Sequence, residues 1–400
     1  MQRILALVCG LIFLSGCASS PKEPADASEN LHYTKEDSLK LRWRTSIGEG
    51  SKGAYLRIEP FVDEETIYTA DPSGSVYALN LKNGKTLWRT KLNEVISAGV
   101  IVTDSCLIVA TQNGFLHCLN PDNGNKVWQT RLSSEAISTP AADGQQVFVH
   151  TVDGRVTAFD LSAGQQVWSY ESAMPVLTVR GTGSPLVLDQ LVVIGFATGK
   201  VVGLDKPLGV PRWEVRLASP DGRSELERLV DIDGQPIFES GLIYAASYHG
   251  NVAAIGLRGE TVWEEQGSSY TSPEFSLGSL YLTLDNDHIQ AYDAENGAKI
   301  WQQTSLAGRK LGQVTAHKRY LAVADNDGNL YLISQINGEL VNPRLLRPKP
   351  LHVNYPNQTT ATKWRNMRGK HMGIRSEIIS TDLGMLVYTN SGEVMLVDVK

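Results

Sequence analysis

The residues of this chain that could do covalent chemistry are its four cysteines, and their surroundings differ. Cys17 follows the apolar run "ILALVCGLIFLSG", which comes after Arg3 and is too short to span a bilayer. A basic residue, a short apolar stretch and polar sequence beyond it are typical of a secretory signal peptide. Thiol chemistry at Cys17 would therefore take place where the signal ends, and Cys9 would be removed with it.

The residues before the cut, "LSGC" from Leu14 to Cys17, resemble a bacterial lipobox. In that family of signals the thiol is diacylated, the peptide is cut before the cysteine, and the new amine is acylated. The resemblance implies a signal peptide over 1–16 and a lipid anchor at Cys17; an ordinary signal with an incidental cysteine is the alternative. Several acyl chains, each contributing about 0.8 kcal/mol per buried CH₂, anchor a protein stably without a transmembrane helix.

The sequence after the anchor indicates where the protein is held. Residues 17–38 read as the lipidated cysteine and a polar, proline-containing flexible tether without a core pattern. In enterobacteria, lipoproteins with Asp directly after the lipidated cysteine are retained in the inner membrane. This chain has Ala18 at that position. The resemblance therefore implies the outer membrane.

Cys106 and Cys118 remain in the mature chain. With a tight turn at Asn113 and Gly114, Cys118 would lie opposite Val109. Cys106 would then lie three positions out of register and on the other face of the sheet. We therefore expect two buried thiols rather than a disulfide, although the compartment is oxidising.

The remaining residue types form no recognisable reactive motif. The eight histidines, with Asp and Glu, make no compact ligand set, and there is no Gly-rich phosphate loop or G-x-S-x-G elbow. A net charge of −6 and a pI near 5.8 lack the excess of positive charge that is typical of nucleic-acid-binding proteins. The sequence predicts no catalytic, cofactor-binding or metal-binding residue and no nucleic-acid partner.

Most of the chain is a repeat of about 40 residues. Each copy has an apolar strand, a turn such as "NG" or "DG", an alternating strand, a second glycine turn and a strand that carries Trp. With one more apolar strand before each copy, the unit is a four-stranded propeller blade, and the Trp would fill the wedge between blades. The first-turn positions of the eight copies are Gly74, Gly114, Gly154, Gly199, Gly250, Asp287, Gly328 and Gly392.

The two ends of the chain complete one blade between them. The eighth copy stops at Lys400 without its Trp strand, whereas "LKLRWRTSIG", 39–48, is a Trp strand with no blade before it. Trp43 is therefore predicted to complete the last blade, which removes an open sheet edge. The fold class is all-β: residues 39–400 form a closed eight-bladed β-propeller of four-stranded antiparallel blades, sealed by pairing of the N- and C-terminal strands.

The repeat "YALNLKNGKTLWRTKL" resembles that of quinoprotein dehydrogenases. Those enzymes carry pyrroloquinoline quinone over the central channel, usually with adjacent cysteines, a calcium site and a catalytic Asp. No two cysteines are adjacent here, and the chain is short for such an enzyme. A quinone-dependent periplasmic dehydrogenase is kept as an alternative hypothesis.

The lipobox, the tether and a ring without enzyme motifs together resemble the BamB family, lipoproteins of the outer-membrane β-barrel assembly machine. The resemblance covers essentially the whole mature chain. Its most specific parts are "MPVLTVRGTGSP", 174–185, which matches the family's "MPSLSLRGxSxP", and "ERLVDIDGQP", 227–236, which matches "DRLxDVDxxP". By the parity of strands a to d, counted outward in a blade, both loops are d-to-a connections on one face of the ring.

The resemblance implies a non-catalytic scaffold, held on the periplasmic side of the outer membrane, that supports folding and insertion of outer-membrane proteins. Its partner would be BamA, at the periplasmic POTRA domains, and direct contact with unfolded outer-membrane proteins stays open. A propeller scaffold for another periplasmic partner is the second alternative. The partner-binding residues carried over from the family are Leu177, Val179, Arg180, Asp231 and Asp233. Alternatively, Arg180 pairs with one of these acids and only holds the loops together.

One segment departs from the family. The interval between the last two copies is 64 residues, and the excess, about 342–376, has eight Lys and Arg and no acid. It is expected either to be a solvated variable loop or to contact an acidic partner, a lipid phosphate or a glycan. Asn342 stands where the seventh Trp should be, and Trp364 is a candidate to fill that wedge.

Replacing Cys17 with Ala should leave an unlipidated precursor that keeps its signal, because the acyl chains need the thiol. Incorporation of labelled palmitate measures this, with Cys9→Ala as the control that should label normally. Unchanged labelling of the Cys17→Ala protein would refute the lipobox interpretation.

Overall fold

The structure, a computed structural model, describes residues 31–34, 37–51, 56–175, 177–178, 181–348 and 373–400. Within these ranges the chain forms strands and turns, and no helix there is long and apolar enough to cross a membrane. Cys17 and the lipobox, residues 18–30 and Trp364 lie outside the described residues.

The strands form eight four-stranded antiparallel sheets, as predicted. Successive sheets use successive strands, and the first strands of neighbouring sheets contact each other around a central axis. The ring is therefore an eight-bladed β-propeller with strand a innermost and strand d outermost. The strands of blades one to four, in order a to d, are β2 (Phe61–Asp63), β3 (Thr66–Asp71), β4 (Ser75–Asn80), β5 (Thr86–Lys91); β6 (Ile101–Val102), β7 (Leu107–Ala110), β8 (Phe115–Leu119), β9 (Lys126–Arg131); β10 (Ala141–Ala142), β11 (Gln146–His150), β12 (Arg155–Asp160), β13 (Gln166–Glu171); β14 (Leu186–Val187), β15 (Leu191–Gly195), β16 (Lys200–Asp205), β17 (Pro211–Arg216).

Blades five to eight continue the pattern, except that the last takes its strand d from the start of the chain. Their strands, in the same order, are β18 (Ile237–Glu239), β19 (Leu242–Ala246), β20 (Asn251–Ile255), β21 (Thr261–Gln266); β22 (Glu274–Ser276), β23 (Ser279–Thr283), β24 (Ile289–Asp293), β25 (Lys299–Gln303); β26 (Thr315–His317), β27 (Tyr320–Ala324), β28 (Asn329–Ser334), β29 (Leu340–Leu345); β30 (Ile379–Thr381), β31 (Gly384–Tyr388), β32 (Glu393–Val399), β1 (Leu39–Ser46).

The core lies between blades rather than at one centre. Strands b and c are buried on both faces, as in "LIVA" of β7 and "YLAVA" of β27, because each blade is covered by its two neighbours. One cluster joins Ile108 and Leu116 of blade two to Val149 and Phe159 of blade three. The outer strands alternate between exposed and covered side chains, which is the pattern of a sheet edge facing water.

A tryptophan and a glycine lock neighbouring blades together. The indole of Trp88 in blade one lies on the c–d turn of blade two, and its Nε1 donates to the Pro121 carbonyl at 2.8 Å. Gly124 in that turn has φ of 72°, and a Cβ there would lie 2.6 Å from the Trp88 ring. We call this pair of contacts the Trp–Gly lock. It confirms the predicted wedge role of Trp and explains the second glycine of the repeat.

The lock recurs at seven junctions. The indoles of Trp43, Trp88, Trp128, Trp168, Trp213, Trp263 and Trp301 donate, in that order, to the carbonyls of Leu81, Pro121, Leu161, Lys206, Leu257, Ala294 and Gln335. They rest on Gly84, Gly124, Gly164, Gly209, Gly259, Gly297 and Gly338. All seven glycines have positive φ, so the turn conformation and the ring contact both favour glycine.

The ring closes as predicted, through the chain ends. Strand β1 pairs antiparallel with β32 from Leu39 opposite Val399 to Ser46 opposite Glu393. The Arg42 guanidinium donates to the Asp398 carboxylate at 2.6 Å across this pair. Since Trp43 also locks onto blade one, strand β1 both completes blade eight and joins it to the next blade.

The junction between blades seven and eight differs from the others. Asn342 pairs with Leu332 in strand d of blade seven, where the other blades have Trp. A Trp there would have no socket, because strands c and d of blade eight are the two ends of the chain and no turn joins them. The junction is instead packed by a cluster that includes Leu39, Val341 and Ile374.

The segment before β1 is in contact with the ring. Leu31 and Tyr33 pack on the apolar cluster between blades six and seven, and Thr34 N–H donates to the Leu340 carbonyl at 3.1 Å. Asp37 accepts a hydrogen bond from Arg319 at 2.9 Å. The expected tether over 17–38 thus contacts the propeller from Leu31 onward.

The two cysteines of blade two are bonded to each other. Cys106 and Cys118 form a disulfide with their Cα atoms 5.3 Å apart, so the expectation of two separate thiols is wrong. Cys118 lies opposite Ile108 rather than Val109. Cys106 is two residues before Ile108, on the same face, and is therefore a diagonal neighbour of Cys118.

The length of one turn caused this error. Thr111 N–H donates to the Phe115 carbonyl at 2.9 Å, so the loop between them has three residues rather than two. Gly114 takes the left-handed position with φ of 73°, which is typical of such a three-residue hairpin loop. One added residue shifts the register by one and moves Cys106 to the other face.

Substituting Gly124 with Ala should destabilise the protein by about 1–3 kcal/mol, since the methyl group would overlap the Trp88 ring and the left-handed backbone disfavours a side chain. Gly241 also has positive φ, at 84°, but has open space around it; Gly144 has open space and no positive φ. Gly241→Ala therefore measures the loss of stability from the left-handed backbone alone, and Gly144→Ala is the control with neither the backbone cost nor a ring contact. Denaturant unfolding should rank the losses Gly124, Gly241, Gly144; equal losses at the first two would contradict the lock.

Candidate functional site

Two long connections stand side by side on one face of the ring. Residues 172–185 join β13 to β14, and residues 217–236 join β17 to β18. Both run from strand d to strand a, and strand direction alternates in an antiparallel blade, so both emerge on the face predicted from strand parity. We call them loop 3–4 and loop 4–5 after the blades that they connect.

The loops pack against each other through glycines. A Cβ on Gly181 of loop 3–4 would overlap the carboxylate of Asp233 in loop 4–5. A Cβ on Gly183 would lie 3.0 Å from the Ile232 carbonyl, and Gln235 Nε2 donates to the Pro185 carbonyl at 3.0 Å. The backbones can therefore approach closely, and the two loops form one surface.

An apolar groove of about 530 Å³ lies on the outer side of these loops. Its apolar lining includes Met174, Leu177, Pro220 and Val230, and Met174 and Leu177 are 42% and 44% exposed. Exposed long apolar side chains in a concave surface are typical of a protein-binding site. We call this feature the loop groove.

The rim of the loop groove is mainly basic. Lys200, Arg216 and Arg228 line it, with Glu225 as the acid. Lys200 pairs with Glu214 at 2.6 Å, and Arg228 pairs with Glu225 at 3.7 Å. An apolar centre with a charged rim suits a partner that inserts an apolar side chain and presents acids around it.

The five residues expected to bind a partner lie in different environments. Leu177 is exposed in the loop groove, whereas Val179 and Arg180 lie outside the described residues. Asp231 is fully buried, and Asp233 is partly buried at the inner side of the loops. The sequence correctly predicted that the two loops are neighbours. A sequence motif does not distinguish a side chain at the loop surface from one buried beneath it.

Asp231 holds the base of loop 4–5. Its Oδ1 accepts from the Ile232 amide at 2.9 Å, and its carbonyl accepts from Tyr248 N–H at 2.7 Å and Ser247 Oγ at 3.1 Å. These contacts tie the loop to the b–c hairpin of blade five. The backbone of Asp231 makes the contacts to the hairpin, and its carboxylate is buried beneath the loop, so it does not form the outer rim.

A second concave feature lies on the axis, where the connections enter the innermost strands. This channel cavity has a volume of about 410 Å³. Its lining comes from six separate d-to-a connections and the b–c turn of blade five, which contributes Tyr248. The connections contribute, among others, Arg57 and Glu59 before blade one, Ser138 before blade three, and Glu377 before blade eight. Asp233 lines it as well, so the cavity adjoins loop 4–5.

No local sequence motif marks the channel cavity, because its lining residues are scattered from 57 to 377. The described residues contain no group of three or more His, Cys, Asp or Glu placed to hold a metal ion. Met174, by contrast, stands in the recognised "MPVLTVRG" stretch, and its exposure could have been suspected there. The basic side chains of the groove rim come from β16, β17 and loop 4–5, so only the fold brings them together.

Comparison with known proteins finds relatives over most of the chain. Residues 72–303 and 285–345 match the family model described as "Outer membrane protein assembly factor BamB". The chain is 45% identical over 339 residues to the outer membrane protein assembly factor BamB of Pseudomonas aeruginosa, covering 84% of this chain and 88% of that protein.

Solved structures share the ring. BamB from Moraxella catarrhalis superimposes with a TM-score of 0.77 at 24% identity, covering 90% of this chain and all of that one. The quinohemoprotein alcohol dehydrogenase from Comamonas testosteroni superimposes with a TM-score of 0.63 at 13% identity, over 90% of this chain and 76% of that one. Likeness at these identities is likeness of fold alone.

Proposed function

The chain belongs to the BamB family of outer membrane protein assembly factors, and we propose that it is a non-catalytic scaffold that docks on the periplasmic POTRA domains of BamA. The observation that carries this proposal is the loop groove, an exposed apolar concavity with a basic rim on a face built by two joined loops. Lipid at Cys17 would hold the ring beneath the outer membrane, so that BamA receives unfolded outer-membrane proteins in a fixed geometry.

The loop groove suits docking for a physical reason. Leu177 and Met174 are exposed at rest, so covering them with a partner side chain removes apolar area from water at little conformational cost. The loops are held together by backbone contacts and by Asp231 beneath them, so the groove is preformed. The rim cations Arg216 and Arg228 would steer an acidic partner surface and set its orientation.

The family-implied residues then divide into two roles. Leu177 contacts the partner directly, as would Val179 and Arg180 beside it in the same stretch of loop 3–4. Asp231 and Asp233 act through loop 4–5: the first fixes its base, and the second packs against Gly181 of the other loop. In this division the two acids organise the loops that the partner binds.

Leu177→Asp should weaken binding to the soluble POTRA domains of BamA by about 30-fold or more, because removing a central apolar anchor typically costs about 2 kcal/mol or more. Leu208→Asp is the matched control, since Leu208 is 67% exposed in the c–d turn of blade four, on the opposite face. Titration calorimetry gives both affinities. Equal affinities for the two variants at unchanged melting temperature would refute docking through the loop groove.

Asp231→Ala should lower stability by about 1–3 kcal/mol, because the buried Ile232 N–H would lose its acceptor, the Asp231 carboxylate. It should weaken BamA binding as well, through disorder of loop 4–5. The melting temperature is the deciding measurement: a residue that only touches the partner would lower affinity and leave melting unchanged. Unchanged melting would contradict this structural role for Asp231.

A further inference from the structure

The channel cavity carries more acidic than basic groups. The carboxylates of Glu59, Asp233 and Glu377 line it, and Arg57 is its basic side chain. Tyr248 and Tyr270 form part of its wall, with ring centroids 6.5 Å apart. A volume of about 410 Å³ falls within the range of small-molecule pockets, roughly 300–1,000 Å³.

Buried polar atoms around the cavity have unused hydrogen-bonding capacity. The hydroxyl of Ser138, a residue 8% exposed, has no hydrogen-bond partner among the described residues. The same holds for the Thr182 hydroxyl and for Oδ1 of Asp233. Buried polar atoms usually have a hydrogen-bond partner, so three unpaired atoms in residues that line one cavity give it a polar wall.

The carboxylates also repel one another. Burial, together with the charges of Glu59 and Glu274 and against the opposing effect of Arg57, raises the pKa of Glu377 to about 8. Burial and the charge of Glu239, against the hydrogen bond from Ala316 N–H, raise the pKa of Glu274 to about 7. Burial, against the opposing effects of Arg57 and Asp231, raises the pKa of Asp233 to about 6.

We propose that the channel cavity binds an organic cation, namely a primary ammonium on a flexible alkyl chain, as in a polyamine or a lysine side chain. The ammonium group would lie between Glu59 and Glu377, where it would neutralise their repulsion, and would donate to Ser138. The alkyl chain would pack against the apolar rings of Tyr248 and Tyr270. An anion would meet three carboxylates and one guanidinium, which disfavours it.

Binding of this kind is linked to proton release. Glu377 with its raised pKa holds a proton below about pH 8, and a bound cation favours the ionised form. Affinity should therefore rise with pH up to about 8 and level off above it. One released proton limits the slope to about tenfold per pH unit.

The test is titration calorimetry of the full-length protein in detergent with spermidine, at pH 6.5, 7.5 and 8.5. We expect one site whose affinity is about tenfold or more higher at pH 8.5 than at pH 6.5. Buffers of different ionisation enthalpy measure the released proton in the unmodified protein, independently of any variant. Nα-acetyl-lysine methylamide, with its Nε-acetylated form as the neutral control, tells whether a side-chain ammonium suffices or a free polyamine is needed.

Glu377→Gln keeps the shape of the side chain and its contact with Gln313, which donates to Glu377 at 2.9 Å. It should remove the pH dependence and weaken binding at pH 8.5 about tenfold. Asp189→Asn makes the same charge change at an exposed turn on the opposite face and should change nothing. The proposal is overturned by an absence of saturable binding, by an unchanged pH slope in Glu377→Gln, or by equal losses in both variants. BamA affinity measured on the same proteins keeps this result separate from docking.

Discussion

The indole ring that seven of the eight outer strands place on a glycine of the next blade is the contact on which most of the ring depends. Each Trp–Gly lock combines a hydrogen bond, a ring face against a backbone without Cβ, and a turn that only glycine adopts easily. Because the lock joins outer strands, it fixes the angle between blades, and that angle fixes where the innermost strands meet. The axis, the channel cavity and the faces of the ring all follow from it.

Both functional features lie on the face where strand d of one blade leads to strand a of the next. Such connections are free to lengthen, since a blade is complete before its connection begins. Loops 3–4 and 4–5 are long connections of this kind, and they line the loop groove. The same two loops contribute Thr182 and Asp233 to the channel cavity on the axis. A partner on the groove would therefore lie next to the opening of the channel cavity.

The sequence predicted the blade number, the strand order and the closure because the residues that make blade contacts are also those that repeat. Trp88 and Gly124 contact each other, and each recurs at a fixed position of the repeat. The sequence repeat therefore reports the contacts between neighbouring blades. The disulfide was mispredicted because register depends on a turn that was one residue longer than assumed at Gly114. The burial of Asp231 and the cavity around Glu377 depend on three-dimensional neighbours from distant loops, which no single stretch of sequence specifies.

The ring closes by pairing its first strand, β1, with its last strand, β32. Arg42 and Asp398 are 356 residues apart in sequence, and strand β1 is synthesised first and its partner β32 last. Until the last residues arrive, β1 has no partner and blade eight has no outer strand, so folding must end with its longest-range contact. A chain that stops even one strand early leaves seven finished blades, an exposed edge and an open ring. A chain without β32 thus presents an unpaired strand edge, and such edges favour aggregation.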